Sequence, residues 1–142
     1  MLAAQDGDVI QITTSSNIVL ANPLPVVTKN ITIQGSGGTR TIDGASNFQV
    51  FSVAIGTLTL QDLIVQNGLS QGGTGGSGVA GSSSGAGGGG GAGGGGGLHV
   101  HYGASAVISN VSFSSNKAQG GDGGAGSVTL NAINYGGGGG GG

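Results

Sequence analysis

His99 and His101 are the only histidines of the chain, and their i, i+2 spacing puts both on one face of a strand. Two imidazoles so placed can ligate a transition metal, but a stable site needs a third ligand and no acid stands close in sequence. They read as two solvated surface histidines. The carboxylates are all aspartates: Asp6, Asp8, Asp43, Asp62 and Asp122. Asp6-Gly7-Asp8 could touch calcium, yet two acids fall well short of the six to eight or so oxygens that calcium takes. Asp8, Asp43 and Asp62 would approach one another only if their segments stack. They would then offer the paired carboxylates that most glycosidases use. Gly85–Gly90 matches Gly-x-Gly-x-x-Gly, as any glycine run must, with no strand directly before it and no helix after. Gly120-Gly121-Asp122-Gly123-Gly124 shares residues with calcium-binding nonapeptide repeats, but its Asp is misplaced and no tandem copy follows. No catalytic, cofactor-binding or metal-ligating residue is assigned from these patterns.

The elements that must position these side chains are strands. In Gly56–Gly68, Leu58 and Leu60 alternate with Thr57 and Thr59, Gln61-Asp62 interrupts, and the alternation resumes with Leu63 and Val65. Asn67-Gly68 closes the segment with turn residues. This reads as two very short strands around a two-residue corner. The same grammar returns at Ala106–Asn116, with Asn110 standing 48 residues after Asp62. It is visible earlier too, with Ile33 standing 27 residues before Leu60. Units that cannot bury an apolar face alone, but can when stacked, point to a solenoid of strand-sized repeats, a parallel β-helix. Ile33, Leu60 and Ile108 are expected in one inward column. Asp62 and Asn110 then occupy equivalent corners, and both tolerate the left-handed conformation, so they read as a turn ladder rather than a ligand site.

Along the rest of the chain, Ile10 and Ile12 are expected inward on a first strand, and Ile18 and Leu20 on a second. Pro23 and Pro25 exclude a central strand between them. Thr41-Ile42 forms a short strand ended by Asp43-Gly44, and Phe51 and Val53 point inward. Leu98, Val100 and Tyr102 are placed inward on the later turn, and Val128, Leu130, Ile133 and Tyr135 begin another. Met1–Gln5 reads as the tail of a short capping helix.

Asn30-Ile31-Thr32-Ile33-Gln34-Gly35, Arg40–Gly44, Val50–Val53 and Thr57–Gly68 follow one another in an order that resembles the right-handed parallel β-helix repeats of bacterial secreted and surface proteins. Autotransporter passengers and chlamydial polymorphic outer-membrane proteins, with their pectate-lyase-like architecture, are of this kind. The resemblance covers residues 6–68 and 97–118. It implies a right-handed parallel β-helix, an extracellular or cell-surface location, and a host or matrix glycan or protein as partner. Lyase chemistry in that family would need clustered acids for calcium and an Arg or Lys base on one face. Five scattered aspartates and Arg40 do not supply them, so this stretch is expected not to be an enzyme. Asn30-Ile31-Thr32 and Asn110-Val111-Ser112 have the form of glycosylation sites, and are discounted in a bacterial-looking strand protein. Thr57-x-Thr59 matches one step of β-helical ice-binding surfaces, and one step is not an array.

Of the 142 residues, 37 are Gly, and no Cys or Trp is present. Disulfides and thiolate metal sites are therefore excluded, and any core is aliphatic. With Lys29, Arg40 and Lys117 as the only strong cations and a formal net charge of −2, there is no basic patch for nucleic acid or anionic membrane. No apolar run approaches the ~18 residues of a membrane span, and Met1–Gln5 is no signal peptide. The chain is read as a single β-helix domain, a fragment over residues 1–142 of something larger. It carries Gly-rich excursions at 69–97, 119–127 and 136–142.

In the first excursion Gly recurs at 72, 75, 78, 81, 87, 90, 93 and 96, and Gly120, Gly123 and Gly126 repeat the spacing. A period of three suits bundled polyproline-II-type helices, whose crowded axis admits only Gly. Disorder is the alternative, because ordering Gly costs the most backbone entropy. Three functions remain open: a non-enzymatic stalk or adhesin-like scaffold; a carbohydrate-active β-helix enzyme whose active site lies outside this fragment; and a Gly-rich adhesin tip module. Uncapped solenoid ends expose apolar residues and strand edges, so end-to-end self-association of the isolated fragment is expected.

Overall fold

The computed structural model describes residues 3–79 and 85–127. It is all-β, with no helix among those residues: β1 (Val9–Ile12), β2 (Ile18–Val19), β3 (Ile31–Gly35), β4 (Arg40–Asp43), β5 (Phe51–Val53), β6 (Thr57–Gln66), β7 (Leu69–Gln71), β8 (Leu98–Val100), β9 (Ser105–Ser114) and β10 (Lys117–Gln119). None of it provides a helix long and apolar enough to cross a membrane. The chain divides into two compact units. One is Met1–Leu69 with Gly95–Lys117, and the other is Ser70–Gly94 with Ala118–Gly142.

The first unit is ordered by parallel pairing. The first half of β6 pairs with β3 and its second half with β4, while β9 pairs along the whole of β6. Beyond them β1 pairs with β3 and β2 with β4, and β5 pairs with β8. Because side chains alternate along a strand and the pairing is in register, like positions line up in columns. One column runs Ile10, Ile33, Leu60, Ile108. Another runs Ile18, Ile42, Val65, Phe113. Val27 bridges Val53, which pairs with Val100. The core is what repetition predicts: Leu58, Leu60, Leu63, Val65 and Val53 are fully buried, and Phe51 is the one large ring among them.

Several expectations are corrected here. The Gly56–Gly68 stretch is not two strands: β6 is continuous over ten residues. The corner sits inside it, with Asp62 at φ 52°, so the burial alternation slips by one at Gln61-Asp62 while the ladder continues. The 27- and 48-residue offsets match the observed registers, but Ile108 is 42% exposed, against 0% for Leu60. Among the described residues β9 has β6 on one edge and no strand on the other, so its inner face is covered from one side only. Tyr102 is fully exposed rather than inward. The His101 N–H donates to the Val53 carbonyl, and the Ala104 N–H donates back to the His101 carbonyl. That closes a turn with Gly103 at φ 83°, which carries Tyr102 out of the alternation. No helix caps the start over Ala3–Gln5, because so few residues cannot repay helix nucleation. Instead the Asp8 N–H donates to the Gln5 carbonyl, and the Gln5 N–H donates to Asp8 Oδ2. Met1, Leu2, Val128, Leu130, Ile133, Tyr135 and the excursion at 136–142 lie outside the described residues.

Among its described residues the second unit is held chiefly by backbone hydrogen bonds, with the Ser70 and Ser127 hydroxyls accepting from the Gly94 and Gly85 N–H and Ser127 donating to the Val79 carbonyl. Gly72, Gly75 and Gly78 donate to the carbonyls of Gln119, Asp122 and Ala125. Gly88 and Gly91 donate to Gly76 and Gly73, and Gly121, Gly124 and Ser127 donate to Gly91, Gly88 and Gly85. Three tracts (72–78, 85–94 and 119–127) thus form a ring in which each donates to one neighbour and accepts from the other, with a step of three residues. The first and third run parallel, and the second runs against both. A Cβ on Gly72, Gly75, Gly87, Gly90, Gly121 or Gly124 would overlap a neighbouring carbonyl oxygen, whereas at Gly73 or Gly76 it would meet open space. The inward phase is therefore as expected in the first two tracts. In the third it is Gly121 and Gly124, one residue on from Gly120 and Gly123. That tract reads Gly-Gly-x, so sequence offers two phases and the neighbours choose between them.

Candidate functional site

The polar side chains of the first unit are distributed along the corners, and each aspartate there is engaged locally. Asp62 and Asn110 share the left-handed conformation, at φ 52° and 51°, and Asn110 Nδ2 donates to Asp62 Oδ1 at 2.6 Å. This is the expected ladder. A second rail begins at Asp6, whose Oδ1 accepts from the Asn30 N–H (2.8 Å) and Nδ2 (3.0 Å). Asn30 Oδ1 in turn accepts from the Thr57 N–H at 2.9 Å. A third cluster gathers around Asp43. Its Oδ1 accepts from the Ala45 N–H at 2.8 Å, and its Oδ2 from Gln66 Nε2 (2.8 Å) and Asn67 Nδ2 (2.9 Å).

These donors favour the ionised carboxylates. The Asn30 backbone and side-chain amides, with Lys29 adding attraction, hold Asp6 below the ordinary value of 3.8. The Gln66 amide, followed by the Ala45 N–H and the Asn67 amide, does the same for Asp43. A folded-state value below the unfolded one means that the unfolded chain takes up the proton first as pH falls. The stability these groups contribute is therefore full above pH 3.8, and is lost as pH drops from there through the lowered values. Denaturant midpoints measured from about pH 5 to pH 2 should fall with acid. Asp43→Asn, which removes the titrating group, should flatten that fall. An unchanged slope in the variant would remove Asp43 from the account.

His99 stands on β8 and His101 one residue past its end, side by side as their spacing suggests. Their rings meet edge to face, with centroids 4.5 Å apart and planes at 89°. His101 Nε2 lies 3.1 Å from Ser52 Oγ, and His99 Nδ1 accepts from the Gly95 N–H at 3.4 Å. A neutral His99 that accepts at Nδ1 carries its proton on Nε2. Metal at Nε2 would then require the proton to move and the Gly95 contact to break. No group of three or more His, Cys, Asp or Glu able to hold a metal occurs among the described residues.

The acids weighed for hydrolysis are not brought together. Asp43 stands level with Val19 and Gln66, Asp62 is joined to Asn110, and Asp8 accepts from the Gln5 N–H. Arg40 occupies a core-facing register beside Leu63. Its guanidinium donates to the Ser36 carbonyl, and its Nε is buried with no partner. Both glycosylation-type asparagines have committed side chains, Asn30 to Asp6 and Asn110 to Asp62. Hydroxyls pair at Thr32–Thr59 and at Thr57–Ser105, but the Thr59 column ends at Val9 on one side and Val107 on the other, so it is only two strands long. Asp122 is exposed in the third tract, where its carbonyl accepts from Gly75.

What sequence reasoning missed is the group of Asp43, Gln66, Asn67 and Asn116. Asn116 Oδ1 accepts from the Gly68 N–H at 2.7 Å, and its Nδ2 donates to the Val65 carbonyl at 2.9 Å. The signal that could have found it was the same 48-residue offset, which sets Asn116 opposite Gly68. No protein-family model, curated protein or solved structure matches this chain.

Proposed function

We propose that this chain is a non-enzymatic segment of a secreted or cell-surface scaffold, a stalk or adhesin-like element. In this reading the paired strands are turns of a right-handed parallel β-helix, and the three tracts are a polyglycine-II-like bundle. The observation that carries it is the use made of the polar residues: the aspartates of the first unit cap corners and join successive strands, and none converges on another or on Arg40. Such a layout serves repetition rather than turnover. A Gly-rich tip module is the second reading, favoured by the hydrogen-bonded order of tracts whose composition alone suits disorder. The partner in either case is a surface glycan or protein.

The apolar hollow lined by Ile10, Ile12, Ile18, Leu20, Ile33 and Phe51, and the half-exposed Ile108 and Phe113, suit pairing of one strand stack with another. One preparation of residues 1–142 tests both halves of the proposal. It should leave pectin, alginate and neutral polysaccharides uncleaved, and it should sediment as species that grow with concentration. Cleavage that disappears in Asp43→Ala or Asp62→Ala would overturn the scaffold reading, and a monomer at every concentration would overturn the pairing.

A further inference from the structure

Asn67-Gly68 is the one Asn-Gly pair in the sequence. In such a pair the glycine amide nitrogen can attack the asparagine side-chain carbonyl, because no Cβ hinders its approach. The new bond joins Gly68 N to Asn67 Cγ, the Cγ–Nδ2 bond breaks, and ammonia leaves with the amide proton. Water then opens the resulting succinimide at either carbonyl, leaving aspartate or isoaspartate. Both reacting groups are restrained here. The Gly68 N–H donates to Asn116 Oδ1 at 2.7 Å, and Asn67 Nδ2 donates to Asp43 Oδ2 at 2.9 Å. The surrounding backbone is fixed as well: the Asn67 N–H donates to the Ser114 carbonyl, Ser46 donates to the Asn67 carbonyl, and Lys117 donates to the Gly68 carbonyl. Gly68 itself is buried.

We infer that Asn67 is a guarded deamidation site, held unreactive by the Asn116 and Asp43 side chains and converted when that corner opens. The guard comes from strands distant in sequence, so it exists only while β4, β6 and the segment after β9 are together. The products do not fit the closed corner. Aspartate at 67 would set a carboxylate against Asp43 where an amide now donates, and isoaspartate would lengthen the backbone at a residue held at φ 51°. Each conversion therefore marks, and then preserves, an opened corner.

Peptide mapping by mass spectrometry, with chromatographic separation of the two products, tests this on the full chain kept in mildly alkaline buffer. Native protein should retain Asn67 over incubations in which denatured protein converts it. Asn116→Ala should convert about tenfold faster than the native chain, the factor that one lost hydrogen bond is worth. Asn116→Asp keeps an acceptor for the Gly68 N–H but loses the donor to the Val65 carbonyl, so it should convert more slowly than Asn116→Ala. Equal rates in native and denatured chain would overturn the inference, and that comparison stands even if Asn116→Ala fails to fold. So would an unchanged rate in folded Asn116→Ala.

Discussion

Gly75→Ala and Gly76→Ala, one residue apart, are expected to have opposite effects on the glycine tracts. A Cβ at 75 would overlap the Gly88 carbonyl oxygen, which is backbone and cannot swing aside. At 76 it would enter open space. Overpacking against fixed backbone costs about 3 kcal/mol or more. Here the cost falls on an assembly with no side-chain core to absorb it, so the ring of hydrogen bonds should open as a whole. Amide exchange at Gly88, Gly91, Gly121 and Gly124 should then approach that of an unfolded chain. Gly76→Ala keeps every bond and restricts the unfolded ensemble, which should stabilise by about 0.5 kcal/mol. Equal exchange in the two variants would mean that the tracts do not pack in this register.

Leu60→Ala should cost about 3 kcal/mol, and Ile108→Ala about 1 kcal/mol, although the two residues are register partners in one column. The difference is coverage: Leu60 is 0% exposed, with Ile33 on one side and Ile108 on the other, while Ile108 is 42% exposed. Shifts in the denaturant midpoint, followed by circular dichroism, read both values. Equal losses would show that something covers β9 in solution.

The β columns were legible because two signals agreed. Period-two alternation gave the inward residues, and the 27- and 48-residue offsets gave their partners without any contact being known. Asp62 and Asn110 were legible for the same reason, as polar residues at the point where alternation slips. The Asp43 cluster was not, because Asp43 meets Gln66 at the 23-residue offset of its register neighbours Ile42 and Val65, a third spacing beside 27 and 48. Nor was the Asp6 cluster, where Asp6 meets Asn30 at a 24-residue spacing outside the strands. Tyr102 misled because alternation was extended past a turn that Gly103 dictates. The glycine tracts were ambiguous in a deeper way. Their contacts are chiefly backbone to backbone, and each tract carries glycine at two of the three phases of a three-residue period. Only the identity of the neighbouring tract decides which glycine faces in, as the one-residue difference at Gly121 and Gly124 makes plain.

The three-residue step of the tract ring has a consequence for how such a chain can change length. Adding one or two residues to a tract would turn Thr74, Ser77, Asp122 or Ala125 toward the axis and mismatch every donor beyond the insertion. Adding three restores the phase and lengthens the tract by about 9 Å at the rise of a polyproline-II chain. Each tract is donor to one neighbour and acceptor from the other, so an increment in one must be matched in the other two. Growth of the second unit is therefore quantised, in coordinated triplets, like a telescoping pole whose sections lock only at fixed notches.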